Sequence, residues 1–100
     1  MAASATLQVV GGAATVVATG EFDLATADTL AVALADACAA GLTVVVDLSG
    51  VTFIDAWSMR ALDQARRRLS LAGHEFVVIN PRPLVRSVLE IGGFADVVRA

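Results

Sequence analysis

The sequence contains no lysine and no tyrosine, and it has one cysteine, one histidine and one tryptophan. A single cysteine, Cys38, excludes an internal disulfide and a zinc site built from several thiolates. Without lysine, neither a Schiff base nor the lysine of a phosphate-binding loop is available. His74 follows Gly73 at an expected helix end, with no neighbouring residues that would make it catalytic. We therefore expect no enzymatic activity, no cofactor and no metal.

Basic charge is also scarce, since seven arginines stand against ten carboxylates and give a net charge of -3. Domains that bind nucleic acid usually carry a basic excess. The triplet Arg66, Arg67 and Arg68 forms no single stripe, because consecutive helix positions point in different directions. Nucleic-acid binding is therefore not expected.

Long apolar runs are missing as well, although the first twenty residues carry no charged side chain. Polar residues and glycines interrupt that segment too often for a signal peptide. No window offers the roughly 20 apolar residues that a membrane-spanning helix needs. We expect a cytoplasmic protein without direct membrane insertion.

Apolar residues are abundant and make up 57% of the sequence. This apolar content and a length of 100 residues predict one compact α/β domain spanning 1–100. Two β-rich runs flank Gly11 and Gly12 and predict an opening hairpin, 6–10 with 14–20. Helical spacing of apolar residues predicts a first helix over 25–40, ending near Gly41.

The second half alternates strands and helices. The run LTVVVDL at 42–48 predicts a central strand, followed by a short piece at 51–54. Asp55 is the expected N-cap of a second helix that ends at Gly73. A strand at 75–79, a third helix at 84–91 and an extended piece at 94–98 complete the order. This order predicts a mixed sheet of about four to five strands with about three helices, in which right-handed helical crossovers join the parallel central strands.

Four carboxylates are the polar groups of most interest: Glu21, Asp23, Asp47 and Asp55. Three of them fall at strand ends where helices begin, which is where α/β sheets usually place function. Asp23 and Asp55 are both expected to cap helices. Trp57, in the first turn after Asp55, has two open interpretations: an interface anchor, or an indole folded back over its own domain.

Three segments resemble the STAS family throughout: GEFDLATADTL at 20–30, VVVDLSGVTFIDAWSMRAL at 44–62 and RPLVRSVLEIGGFADV at 82–97. The resemblance implies the STAS fold and a non-enzymatic regulator of the anti-sigma-factor antagonist type. In such antagonists the second serine of an Asp-Ser-Ser-Gly-Leu motif is phosphorylated by a kinase-fold anti-sigma factor. The unmodified antagonist binds that factor and releases sigma.

Alignment on that motif matches Asp55 to the family aspartate, Ala56 to the first serine and Trp57 to the phosphoacceptor. Ser58 stands where glycine is usual, and Met59 replaces leucine. Because tryptophan has no hydroxyl, the usual switch cannot operate at this position. Three alternatives stay open: a constitutive antagonist, phosphorylation at Ser58 instead, or a different STAS role.

The resemblance implies a partner-binding surface at the first turn of the second helix, to which Asp23 also contributes. Its predicted residues are Asp23, Asp55, Ala56, Trp57, Ser58, Met59 and Arg60. The expected partner is an anti-sigma factor of the kinase-like fold. Two alternatives stay open: a STAS accessory subunit of a lipid-transporting ABC complex, and a small-ligand-sensing STAS domain. The sequence leaves the oligomeric state open.

Overall fold

Two consecutive glycines close the hairpin that opens the fold. In the computed structural model, which describes residues 2–99, Gly11 and Gly12 have φ angles of 59° and 79°. Such angles suit the tight two-residue turns that match the twist of a hairpin. The turn joins β1 (Ser4–Val10) to β2 (Ala13–Phe22), and the two strands pair antiparallel, as the sequence predicts.

The remaining strands are parallel and complete a five-stranded mixed sheet in the order β1-β2-β3-β4-β5. β3 spans Thr43–Ile54, β4 spans Phe76–Ile79 and β5 spans Val98–Arg99. The β2-β3, β3-β4 and β4-β5 pairs are all parallel. The predicted mixed sheet with parallel central strands is therefore confirmed.

Three helices make the crossovers between the parallel strands: α1 (Ala27–Ala39), α2 (Ala56–Ala72) and α3 (Pro83–Ile91). Each crossover advances by one strand in the same direction, so the right-handed rule places all three helices on one face of the sheet. Val16, Val46 and Val78 are fully buried on that face. Their neighbours on the opposite face, such as Val17 and Val45, are only half-buried.

β3 differs from the prediction of two separate pieces, because it is one strand of 12 residues. Its register with β2 shifts twice, between Val17 and Thr19 and between Gly20 and Glu21. Gly50 permits the close approach that this irregularity needs, since a Cβ there would lie 2.8 Å from Thr19 Cγ2. Ser49 and Gly50 therefore bend the strand without ending it.

The chain end also differs from the expected extended piece. Residues Ala95–Val97 form a 3₁₀ turn, and only Val98–Arg99 pair with β4. The N–H of Val97 donates to the carbonyl of Phe94 at 3.1 Å, which closes this turn. Phe94 itself is buried in the core.

Cys38 lies half-buried between α1 and α2, with its Sγ donating to the carbonyl of Ala65 at 4.0 Å. Burial raises the pKa of this thiol, and the nearby Arg68 only partly opposes that effect. The thiolate is the reactive form, so Cys38 should react more slowly with a disulfide reagent at pH 8 than a cysteine in a short peptide does. Adding denaturant should bring the rate to that of the peptide. Equal rates in the folded protein and the peptide would contradict the packed-thiol interpretation.

Candidate functional site

The carboxyl ends of β2 and β3 meet at one edge of the sheet, and the loops that follow them lie side by side. Phe22 pairs with Ile54, and the N–H of Asp55 donates to the carbonyl of Phe22 at 3.1 Å. The turn after β2 and the start of α2 therefore form one local surface. This is the edge of an open α/β sheet at which ligands and partners commonly bind.

Asp55 is the N-cap of α2, as the sequence predicts. Its backbone is extended, with φ -99° and ψ 174°, and its Oδ1 accepts from the N–H of Ser58 at 2.8 Å. At the other end Gly73 adopts the left-handed conformation with φ 79°. Both ends of α2 are therefore fixed by local chemistry that the sequence makes visible.

Replacing Asp55 by alanine should lower the free energy of unfolding by about 1 kcal/mol, because the helix loses its N-cap acceptor. Asp55→Asn keeps a side-chain oxygen at the same place and should retain most of that stability. Urea denaturation of the three proteins measures the effect. Identical midpoints for wild type and the alanine variant would rule out a capping contribution.

Asp23 does not cap α1, which corrects the prediction from sequence. α1 begins at Ala27, and its N-cap residue, Thr26, makes no side-chain cap hydrogen bond. Asp23 Oδ1 instead accepts from the N–H groups of Ala25 and Thr26, at 2.9 and 3.2 Å. The carboxylate thus closes the turn between β2 and α1, and Asp23 stays exposed on the surface.

Two of the predicted surface residues, Ser58 and Met59, have buried side chains. Ser58 is 0% exposed, and its hydroxyl donates to the carbonyl of Asp23 at 3.3 Å. Met59 packs into the core. The Ser58 hydroxyl therefore ties α2 to the turn after β2, and a phosphate there would require these two segments to separate.

Trp57 lies on the outside of the same helical turn, with its side chain 51% exposed. The Arg60 guanidinium carbon lies 4.7 Å from the centroid of the indole ring. A cation over one ring face at this distance gives a favourable contact and restricts the ring. Arg60 of the same helix therefore contacts the indole, and about half of Trp57 faces solvent.

The surface predicted from the sequence does not include two exposed apolar residues at this edge. Leu24 lies in the turn after Asp23, and Phe53 precedes the buried Ile54 in β3. Strand alternation could have identified Phe53 as outward-facing, because Ile54 belongs to the core. We define the Trp57 surface by its exposed and half-buried members: Asp23, Leu24, Phe53, Asp55, Ala56, Trp57 and Arg60.

The other two carboxylates singled out in the sequence, Asp47 and Glu21, are not members of the Trp57 surface. Asp47 sits in the middle of β3, where its Oδ1 accepts from the N–H of Ser49 at 2.9 Å. Glu21 is exposed in β2 and pairs in register with Phe53, beside the Trp57 surface. The four carboxylates therefore do not form one cluster. Among residues 2–99, no group of three or more His, Cys, Asp or Glu side chains is placed to hold a metal ion.

A groove of about 710 Å³ runs from the start of α2 along the space between α2 and α3. It begins at Ala56 and Arg60, next to the Trp57 surface, and is lined further along by Asp63 and Ile91. Arg67 Nε lies 2.9 Å from Asp63 Oδ2 on its wall. The groove is open to solvent, so it extends the available contact area beside the Trp57 surface.

A comparison with protein-family models identifies the family of this chain. The model of the STAS domain family matches residues 4–100. The chain belongs to the STAS domain family. The extent of the match includes every strand and helix described above. A comparison with curated protein sequences gives no significant match.

Solved structures with this STAS fold include regulators and a transporter. An anti-sigma factor antagonist from Mycobacterium paratuberculosis has a TM-score of 0.85 at 24% identity, with 95% of this chain and 81% of that chain covered. The unphosphorylated anti-sigma factor antagonist SpoIIAA has a TM-score of 0.78 at 21% identity, with 96% and 86% covered. The murine anion transporter Slc26a9 has a TM-score of 0.71 at 20% identity, with 91% of this chain but 18% of the transporter covered. Across residues 2–99, none of the STAS domain's helices is long and apolar enough to cross a membrane.

Proposed function

We propose that this STAS domain is a non-enzymatic, cytoplasmic regulator of the anti-sigma-factor antagonist type. It docks onto an anti-sigma factor of the kinase-like fold through the Trp57 surface. Support comes from the family match and from antagonists that share the fold over more than four-fifths of their length. The position of the surface at the carboxyl edge of the sheet adds a physical reason.

The observation that carries the proposal is the half-exposed indole of Trp57 at the start of α2. Tryptophan is enriched among the residues that dominate binding energy at protein interfaces. Here the ring is held by Arg60, so little freedom is lost when a partner covers it. Leu24 and Phe53 supply further apolar area, and Asp23 and Asp55 place carboxylates at its margin.

The proposed docking operates without the phosphoserine switch. Trp57 offers no hydroxyl at the position that the family motif assigns to phosphate, and Ser58 is buried against Asp23. A kinase cannot reach a hydroxyl in that position while the first turn of α2 is folded. The domain therefore binds its partner constitutively. The cellular concentration of the domain then determines how much of the partner is bound.

Incubation with a kinase-fold anti-sigma factor, Mg²⁺ and ATP tests this part of the proposal. The wild-type protein should keep its mass, whereas Trp57→Ser, which supplies a hydroxyl at the exposed position, should gain one phosphate. Intact-mass spectrometry measures both. Stoichiometric phosphorylation of the wild type, at Ser58 or elsewhere, would show that a switch is present.

A second candidate is docking onto a transporter, which the structural likeness to Slc26a9 favours. In this case the Trp57 surface would meet a membrane protein complex or its ATPase, as in a lipid-transporting ABC system. Affinity purification from the native cell, with Trp57→Ala as the matched control, separates the two. Retention of a kinase-fold protein by the wild type alone supports the antagonist, and retention of an ATPase subunit supports the transporter role.

A further inference from the structure

The second surface of interest is the open edge of β1, at the opposite end of the sheet order from β5. Val10 and Ala13 flank the two-residue turn and form a hydrogen-bonded pair. Because such pairs alternate along an antiparallel ladder, the N–H and C=O groups of Ala5, Leu7 and Val9 point away from β2. These N–H and C=O groups can form backbone hydrogen bonds with an additional strand at the edge of the sheet.

β1 lacks the features that usually protect such an edge. Its sequence, SATLQVV, has no charged residue and no proline over 7 residues. The strand is also longer than the short edge strands with which many sheets avoid pairing. Val9 at its end is exposed. The edge is therefore suited to pairing with an added strand.

A groove of about 480 Å³ lies beside this edge, between β1 and α1. Leu7 and Ala33 form part of its apolar floor, and Val32 on its rim is 63% exposed. Asp28 and Asp36 stand at either side of Val32 along α1, and both carboxylates are exposed. Within residues 2–99, neither takes part in an ion pair.

The spacing of Asp28, Val32 and Asp36 along α1 indicates the sequence pattern of a partner strand. Asp28 and Asp36 are eight positions apart in α1, which corresponds to a rise of about 12 Å along the helix axis. Residues four apart in an extended strand lie on one face and are about 13 Å apart. We propose that the β1 edge accepts an extended segment of another protein that carries the pattern basic-x-apolar-x-basic. Its backbone pairs with β1, its central apolar side chain covers Leu7 and Val32, and its two cations meet Asp28 and Asp36.

The same carboxylates argue against a second copy of this chain as the occupant. Antiparallel pairing of two β1 edges would bring the Asp28-Asp36 rows of both copies toward one another and place like charges together. β1 itself has no basic residue to compensate for them. A strand from a different protein with cationic flanks satisfies the hydrogen bonds, the apolar groove and the charges at once.

Heteronuclear NMR with synthetic peptides tests the proposal on the full chain. The probe is the amidated peptide Thr-Arg-Thr-Val-Thr-Arg-Thr, compared with a peptide in which both arginines are glutamates. The arginine peptide should shift the amide resonances of Ala5, Leu7 and Val9 and bind at least tenfold more tightly than the glutamate peptide. Its affinity should fall as NaCl is raised, because the ion pairs are exposed.

Two sets of variants locate the binding site. Val9→Pro removes one outward N–H and should weaken binding at least tenfold, whereas Val9→Thr keeps the N–H and should bind as the wild type does. The double variant Asp28→Asn and Asp36→Asn should remove the preference for arginine while leaving the fold intact by circular dichroism. No saturable binding at millimolar peptide, equal affinity for both peptides, or amide shifts confined to α2 would each overturn the proposal. A wild-type dimer in sedimentation that Val9→Pro dissociates would also overturn it, because the edge would then belong to a second copy.

Discussion

Trp57→Ala is expected to weaken partner binding by about 2 kcal/mol or more, roughly thirtyfold in affinity. The indole offers a large apolar area that is half-exposed in the free protein. Within its own domain the indole contacts the Arg60 guanidinium, and an exposed cation–π pair of this kind contributes only about 0.5–1 kcal/mol. Binding should therefore change much more than stability. Isothermal titration calorimetry and urea denaturation on one purified variant give both quantities.

Leu71→Ala is the matched control for that experiment. Leu71 lies near the other end of α2 and is 91% exposed, so its truncation removes a large exposed apolar side chain outside the Trp57 surface. Its affinity for the partner should equal that of the wild type. Normal binding by Trp57→Ala together with a loss of several kcal/mol in stability would contradict the interface role, since it would mean that the indole packs on its own domain.

Ser58→Asp is expected to cost about 3 kcal/mol or more of stability, because it places a carboxylate in a fully buried position. A negative charge in the first turn of a helix is favoured by the helix dipole, but by at most about 1 kcal/mol at exposed sites. The desolvation cost is larger, and the N–H of Ser58 already donates to the Asp55 carboxylate. The melting temperature and the urea midpoint should therefore both fall strongly.

Ser58→Ala is the control for the loss of the hydroxyl alone. It removes the hydrogen bond to the Asp23 carbonyl and should cost about 1 kcal/mol. A Ser58→Asp protein as stable as Ser58→Ala would mean that the first turn of α2 opens readily. Phosphorylation of Ser58 would then be compatible with the fold, and the constitutive binding proposed above would lose its structural basis.

The parts of the fold that the sequence predicts well are those fixed by local chemistry. Gly11 and Gly12 supply the positive φ angles of the hairpin turn, and Asp55 and Gly73 cap α2 within one turn of their own helix. In each case the residue and the structure it determines are neighbours along the chain. Such features do not depend on how the rest of the domain packs.

The parts that the sequence does not predict depend on distant contacts. Ser58 is buried because the turn after β2, 35 residues earlier, lies against it. Asp23 is an exception, because its contacts are local: its carboxylate closes the turn after β2, and its residue type does not reveal that α1 starts only at Ala27. The continuity of β3 through Gly50 likewise requires Thr19 of the neighbouring strand to lie close by. The position of the partner-binding surface along the chain stays a prediction, and which of its side chains face outward depends on these contacts.

The most direct test of the proposed function follows the environment of Trp57 itself, since it is the only tryptophan in the chain. The protein would be labelled with 5-fluorotryptophan and titrated with a kinase-fold anti-sigma factor while its fluorine resonance is recorded. We predict that the resonance shifts on binding, loses its sensitivity to D₂O as solvent is excluded, and behaves identically with and without Mg²⁺ and ATP. A saturable complex in which the resonance and its solvent sensitivity stay as in the free protein would show that the partner binds elsewhere.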